Sequence, residues 1–227
     1  MRRTLIHIDG MTIGHGKKVL YENVSFDINE GDCIMLCGAN GSGKTTLLKA
    51  IAGLQHPGCR VTMIPSRIPK VKGFSVKEFV KVSCFKQTDM TGKLSESDEA
   101  ALGRALERLG IDHLKDRDIS TLSDGEFQKA GLVSALVRNA SVILLDEPTA
   151  FLDAENRISV LATLREICDR KGIAVIFSTH DLHDGLKFCT KVLAFGADGR
   201  FRCSGDTSES MSHTVSTIFS SSCSTIP

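Results

Sequence analysis

The chain has 227 residues, enough for one large α/β domain or for one carrying a small inserted lobe. Its 28 Lys and Arg against 27 Asp and Glu leave a formal charge of +1, which excludes the basic footprint of a nucleic-acid binder. No apolar run approaches the roughly 20 residues that span a bilayer. The short apolar stretch between Arg3 and Asp9 does not make the core of a signal peptide, so the expectation is a cytosolic protein.

In chain order, "LIHIDGMTIG" and "NVSFDI" alternate in polarity and are bounded by Asp9-Gly10 and Asn29-Glu30-Gly31. They predict antiparallel strands flanking a main sheet. Cys33–Cys37 is a short continuous apolar run, as are Val142–Leu145, Ile173–Phe177 and Val192–Phe195. Such runs suit parallel strands covered on both faces. Three of the four pass into polar motifs at their carboxyl ends, where open α/β sheets place ligands.

Between about residues 67 and 139 the pattern turns helical. Ser95 and Asp98 have the spacing of a helix start. Leu102, Ala105, Leu106 and Leu109 follow at helical spacing, and Gly110 closes the helix. A second helix is predicted from about Gly125 to Val137. Beyond Gly205 the chain is rich in Ser and Thr without a strong period, and is expected to be peripheral. The eight cysteines form no C-x-x-C pair, and several sit inside apolar runs, so they read as small core hydrophobes.

The most specific motif is "GANGSGKTT", Gly38 to Thr46, lying between a predicted strand and the predicted helix "TLLKAIAGL". It matches G-x-x-x-x-G-K-[ST], a phosphate-binding P-loop, in the required strand–helix context. Gly38, Asn40, Gly41, Ser42 and Gly43 let the backbone wrap a phosphate with its N–H groups inward. The helix N-terminus beginning at Lys44, Thr45 and Thr46 adds donors and a favourable dipole. Lys44 is expected to bridge the β- and γ-phosphates of ATP, and Thr45 to coordinate Mg²⁺. In "SVILLDEPT" a buried strand delivers Asp146 and Glu147: one carboxylate for the Mg²⁺ shell, the next to accept a proton from the attacking water. "FSTHD" brings His180 out on the same edge, within reach of a γ-phosphate. "TLSDGEFQK" reads as a turn entering a helix, with Ser123 and Asp124 as N-cap candidates.

The order P-loop, "LSDGE", "LLDEPT", "FLD", "STHD" resembles ATP-binding cassette (ABC) transporter ATPases over roughly residues 5–205. The resemblance implies an α/β fold of the P-loop NTPase type: a mostly parallel central sheet, an N-terminal antiparallel β subdomain and an inserted α-helical subdomain. The α/β core would take about residues 1–66 and 140–205, the helical part about 67–139, and a Ser/Thr-rich tail about 206–227. It also implies a head-to-tail dimer of two copies of the chain, in which Ser123 and Gly125 contact the γ-phosphate bound by the other copy. Glu147 matches the general base, His180 the switch histidine, and Phe151, Leu152 and Asp153 the loop that crosses the dimer interface.

"LSDGE" departs from the usual LSGGQ at Asp124 and Glu126, and acidic variants of this kind look most like ATPase subunits of iron-siderophore, haem and cobalamin importers. Two further departures matter. His15 stands where the family stacks a tyrosine on adenine. Ser66 stands where a glutamine usually contacts Mg²⁺ and links to the membrane subunit, and neither Gln55 nor Gln87 follows the strand to replace it. Arg67, Lys70 and Lys72 nearby could meet a partner or form a solvated loop. The implied function is the ATPase of an importer on the inner face of the cell membrane, working with polytopic permease subunits and indirectly a substrate-binding protein. A soluble ABC ATPase of the iron–sulfur assembly type, or a nucleotide-binding module with weak turnover, stay open as alternatives.

Overall fold

The computed structural model describes residues 2–16, 18–54, 56–66, 69–83, 95–150, 152–196 and 198–220. The chain forms two compact units, one of Met1–Ser66, Ser141–Ala150 and Leu161–Pro227, the other of Arg67–Ala140 and Phe151–Val160.

The first unit holds two sheets. Strands β1 (Thr4–His15) and β2 (Lys18–Asn29) pair antiparallel. Alternation along them turns Ile6, Ile8, Ile13, Val24, Phe26 and Ile28 inward, the period of two expected of a half-buried strand. The second sheet has the order β4-β5-β6-β3-β7-β8, formed by β3 (Cys33–Gly38), β4 (Val61–Ile64), β5 (Val142–Leu145), β6 (Ala174–Ser178), β7 (Lys191–Phe195) and β8 (Phe201–Cys203). All pairings are parallel except β7 with β8. The apolar runs Cys33–Cys37, Val142–Leu145 and Val192–Phe195 are wholly buried, which is why they show no alternation.

Helix α1 (Lys44–Gly53) packs Leu47, Leu48 and Ile51 into the core shared by both sheets. Tyr21 and Phe195 lie 4.4 Å apart, Phe195 and Phe201 5.5 Å, and Phe201 and Phe26 5.7 Å, so a chain of tilted rings joins the hairpin to β7 and β8. Cys33, Cys37, Cys168 and Cys189 are buried among these elements, and burial pushes the Cys37 thiol up to about 12, so it stays protonated.

The Ser/Thr-rich stretch after Gly205, expected to be a peripheral tail, instead forms a helix whose inner face is buried. Its residues pack on β7 as α7 (Ser208–Ser220) after α6 (Leu182–Phe188). Met211, Thr214, Val215 and Ile218 are buried at i, i+3, i+4 and i+7. Four positions suffice for one helical face, and the serines between them mask that period in the sequence.

The second unit is helical. It contains α2 (Val76–Ser83), α3 (Glu96–Arg108), α4 (Asp124–Val137) and the start of α5 (Ala154–Lys171). Ser95 caps α3 by accepting the Asp98 backbone N–H, and Gly110, at φ +66°, follows its end. Leu102, Ala105, Leu106 and Leu109 are buried, and α2 and α3 both pack on α4. Residues 152–160, expected with the α/β core, belong to this unit. The reason is local: Asn156 at the start of α5 packs over Gly125 at the start of α4, where a Cβ would come within 3.4 Å of it.

Candidate active site

The P-loop leaves β3 at its carboxyl end. Gly38 has φ +151° and Gly43 φ +104°, conformations that disfavour a side chain. A Cβ at Gly38 would lie 2.7 Å from Ser42 Oγ and 2.9 Å from Phe195 Cβ, so the loop closes on itself only because that atom is missing. Gly43 caps α1 without a side-chain hydrogen bond, and the first turn carries no acidic residue. The N–H groups that open α1 are therefore offered outward under the positive end of the dipole, the arrangement that binds phosphate. Ser42 Oγ is buried with no hydrogen-bond partner among the described residues, and a polar atom left so fits a site that a ligand completes.

Lys44 Nζ donates to the carbonyls of Gly38 (3.0 Å) and Ala39 (3.2 Å). Burial lowers its pKa, while the charges of Glu147 and Asp146 act the other way. Asn40 and Gly41 form the exposed crest of the loop, and Thr46 is half-buried behind it. Beside the loop lies a cavity of about 460 Å³, lined among others by Tyr21, Asn40, Ser42, His180, Phe195 and Ile218.

Sheet register brings the remaining groups together. Leu145 pairs with Phe177, which sets Asp146 alongside Ser178, and Leu36 pairs with Ser178, which sets Gly38 near His180. Thr45 Oγ1 donates to Asp146, 2.9 Å from Oδ2 and 3.1 Å from Oδ1. Ser178 Oγ donates to Asp146 Oδ1 at 3.0 Å and accepts the Glu147 backbone N–H at 2.8 Å. Glu147 has φ +50°, and its carbonyl accepts the Ala150 N–H at 3.1 Å. A left-handed non-glycine residue costs on the order of 1–3 kcal/mol and persists where its surroundings hold it, commonly at functional sites. Glu147 Oε1 lies 2.8 Å from His180 Nε2, with both side chains partly open to solvent.

So Lys44, Thr45, Asp146, Glu147 and His180, expected from separate motifs, meet at the carboxyl edge of one sheet. Ser178 was not singled out in the sequence, because its role depends on strand order, which no local motif carries. Ser66 is exposed two residues beyond β4. Ile64 pairs with Leu145 and accepts the Asp146 N–H at 3.1 Å, so Ser66 leaves the sheet beside the carboxylates without joining their hydrogen bonds. His15 ends β1 opposite Lys18; its side chain lies outside the described residues, as do Gln55, Arg67, Gln87 and Phe151.

In the helical unit Ser123 caps α4 in a reciprocal box: its Oγ accepts the Glu126 N–H at 3.2 Å, and Glu126 Oε2 accepts the Ser123 N–H at 2.8 Å. That backbone N–H holds the Glu126 carboxyl below its ordinary value. Lys70, read in the sequence either as a partner contact or as part of a solvated loop, is engaged here. Its Nζ donates to Leu122 O at 2.8 Å and Asp124 Oδ1 at 2.7 Å and sits 5.5 Å from the Phe127 ring centre. Both acidic departures in "LSDGE" thus have local partners. Asp153 Oδ1 accepts the Asn156 N–H at 2.8 Å, ordering the entry to α5.

A profile described as ABC transporter matches residues 21–150, more than half of the chain. The chain belongs to the ABC transporter family. The achromobactin transport ATP-binding protein CbrD of Dickeya dadantii (strain 3937) is 29% identical over 238 residues, covering 96% of this chain and 88% of that protein. The thiamine import ATP-binding protein ThiQ of Jannaschia sp. (strain CCS1) is 32% identical over 203 residues, covering 83% and 88%. Among solved structures, a nucleotide-free ATP-binding cassette from an ABC transporter superposes with a TM-score of 0.80 at 20% identity, covering 95% of this chain and 96% of that one. The fold is that of an ABC ATPase, and as a member of this family the chain binds and hydrolyses ATP.

Proposed function

We propose that this ABC ATPase powers an importer, with iron-siderophore, haem or cobalamin as its cargo class. The observation that carries the catalytic part is the continuous line Thr45–Asp146–Ser178–Glu147–His180 at one sheet edge beside the P-loop. ATP would rest its phosphates on the N–H groups of the loop and the start of α1, with Lys44 exchanging its loop carbonyls for phosphate oxygens. Glu147 would accept the proton of the attacking water, and His180 would steady the carboxylate and contact the γ-phosphate. The Thr45 hydroxyl and the Asp146 carboxylate, 2.9 Å apart, are the hard oxygen donors Mg²⁺ prefers. They would hold that ion, with Ser66 reaching it through water, and the ion would neutralise phosphate charge.

His15 would face the adenine. Ser123 and Gly125 would complete the site of a second copy of the chain, with Asp153 at the interface, so that ATP closes the dimer and hydrolysis reopens it. No helix among the described residues is long and apolar enough to cross a membrane, so the permease would be separate chains. Val71, Phe74 and Val82 of the helical unit are exposed apolar side chains that such a partner could cover. The protein would then be cytoplasmic and peripheral on the inner face of the membrane, with a substrate-binding protein acting from the other side. Relatives named for achromobactin transport and for thiamine import support the transport reading, and the cargo class rests on the acidic signature alone. Affinity capture of the chain from its native membranes in mild detergent should recover a polytopic membrane protein in stable ratio. Recovery of the chain without one would overturn the transport reading.

A further inference from the structure

We propose that Ser178 is a positioning residue for the hydrolytic step, setting the backbone of Glu147 and the rotamer of Asp146 through one hydroxyl. The proposal rests on the reading of Glu147 as general base. Ser178 ends β6 with its side chain wholly buried. A backbone N–H can only donate, so at the 2.8 Å contact with Glu147 N the serine oxygen accepts. Its single proton is left for Asp146 Oδ1, 3.0 Å away. The direction of both bonds is therefore fixed by chemistry, and the hydroxyl ties together two residues that face different tasks.

The first tie acts on a strained backbone. Glu147 holds φ +50°, a conformation that relaxes unless its neighbours define it. The Ser178 bond on its N–H and the Ala150 bond on its carbonyl are what define it. The carboxylate reaches His180 Nε2 at 2.8 Å from that backbone. The second tie acts on Asp146, whose Oδ1 receives both Ser178 and Thr45 and whose Oδ2 faces the same threonine. Removing the hydroxyl leaves the part-buried Glu147 N–H without its acceptor and Asp146 Oδ1 with Thr45 alone, at the two points where geometry matters for turnover. Lys44 and the backbone N–H groups of the loop are untouched, so binding of ATP and turnover should separate.

The test compares Ser178→Thr with Ser178→Val, which share shape and differ by the hydroxyl. Valine should turn ATP over about tenfold more slowly than threonine, the scale of one hydrogen bond to a charged group. ATP affinity by calorimetry should agree between the two, while valine melts about 2–4 °C lower because the Glu147 N–H loses its acceptor. In a Glu147→Gln background the difference between the two should shrink to no more than about threefold, because Asp146 alone is still being aimed. Equal turnover of Thr and Val overturns the proposal. So does a loss of the same size in the Glu147→Gln background, or a loss matched in ATP affinity, since either marks a structural role alone. If Glu147→Gln alone keeps normal turnover, the base reading fails instead, which the same set of variants reveals separately.

Discussion

The two candidate site regions are built on opposite principles. At the edge of the parallel sheet, Asp146 and Ser178 are buried, and each polar group is held by another from a different strand. At the start of α4, Ser123 and Asp124 are exposed and Glu126 is half-buried, held by neighbours within a few residues and by Lys70. The first region is held together by hydrogen bonds between strands of one sheet. The second is a rigid turn whose outward groups have no such enclosure, the form expected of a surface that another molecule completes. Rigidity comes from burial in one case and from capping in the other.

That contrast can be broken from either side. The largest effect belongs to the buried edge: Glu147→Gln should keep ATP binding yet slow turnover by at least ~10²-fold, the scale of a lost general base. Turnover near normal in a phosphate-release assay would remove Glu147 from that role. Next comes the exposed turn. Ser123→Arg, placed in the Glu147→Gln background, should leave ATP binding by the single chain intact and abolish the ATP-dependent dimer in size-exclusion chromatography. A dimer that survives would count against the shared site. The smallest effect is expected at Lys70→Met. Its ion pair with Asp124 is partly exposed, and such pairs contribute only about 0–1 kcal/mol. Turnover should fall by no more than about fivefold, with the fold intact by melting. A loss as large as that of Glu147→Gln would show that the turn is held from outside the capping box.

Much of the buried edge was legible in the sequence because its signals are contiguous. A P-loop carries strand, loop and helix in one stretch, and the doublet Asp146-Glu147 follows its strand directly. Ser178 was not legible, since nothing local says that β5 and β6 are neighbours or that Leu145 pairs with Phe177. The same limit hid the partner of Lys70, 54 residues from Asp124. The helix α7 escaped for a different reason: its buried stripe of Met211, Thr214, Val215 and Ile218 is interrupted by serines and threonines that read as tail. At the start of α4 the sequence offered both Ser123 and Asp124 as caps; the structure uses Ser123 and adds the reciprocal bond from Glu126.

The ring chain that joins the hairpin to the main sheet has an optical consequence. The sequence holds no tryptophan and a single tyrosine. That residue, Tyr21, stacks on Phe195 and lines the cavity next to the P-loop, with its hydroxyl on the Gly196 carbonyl at 3.3 Å. All tyrosine emission of the protein therefore originates beside the nucleotide site. The chain carries a built-in chromophore there, so spectroscopy of the unmodified protein reads the surroundings of the P-loop directly, and a tryptophan placed anywhere else would report free of background.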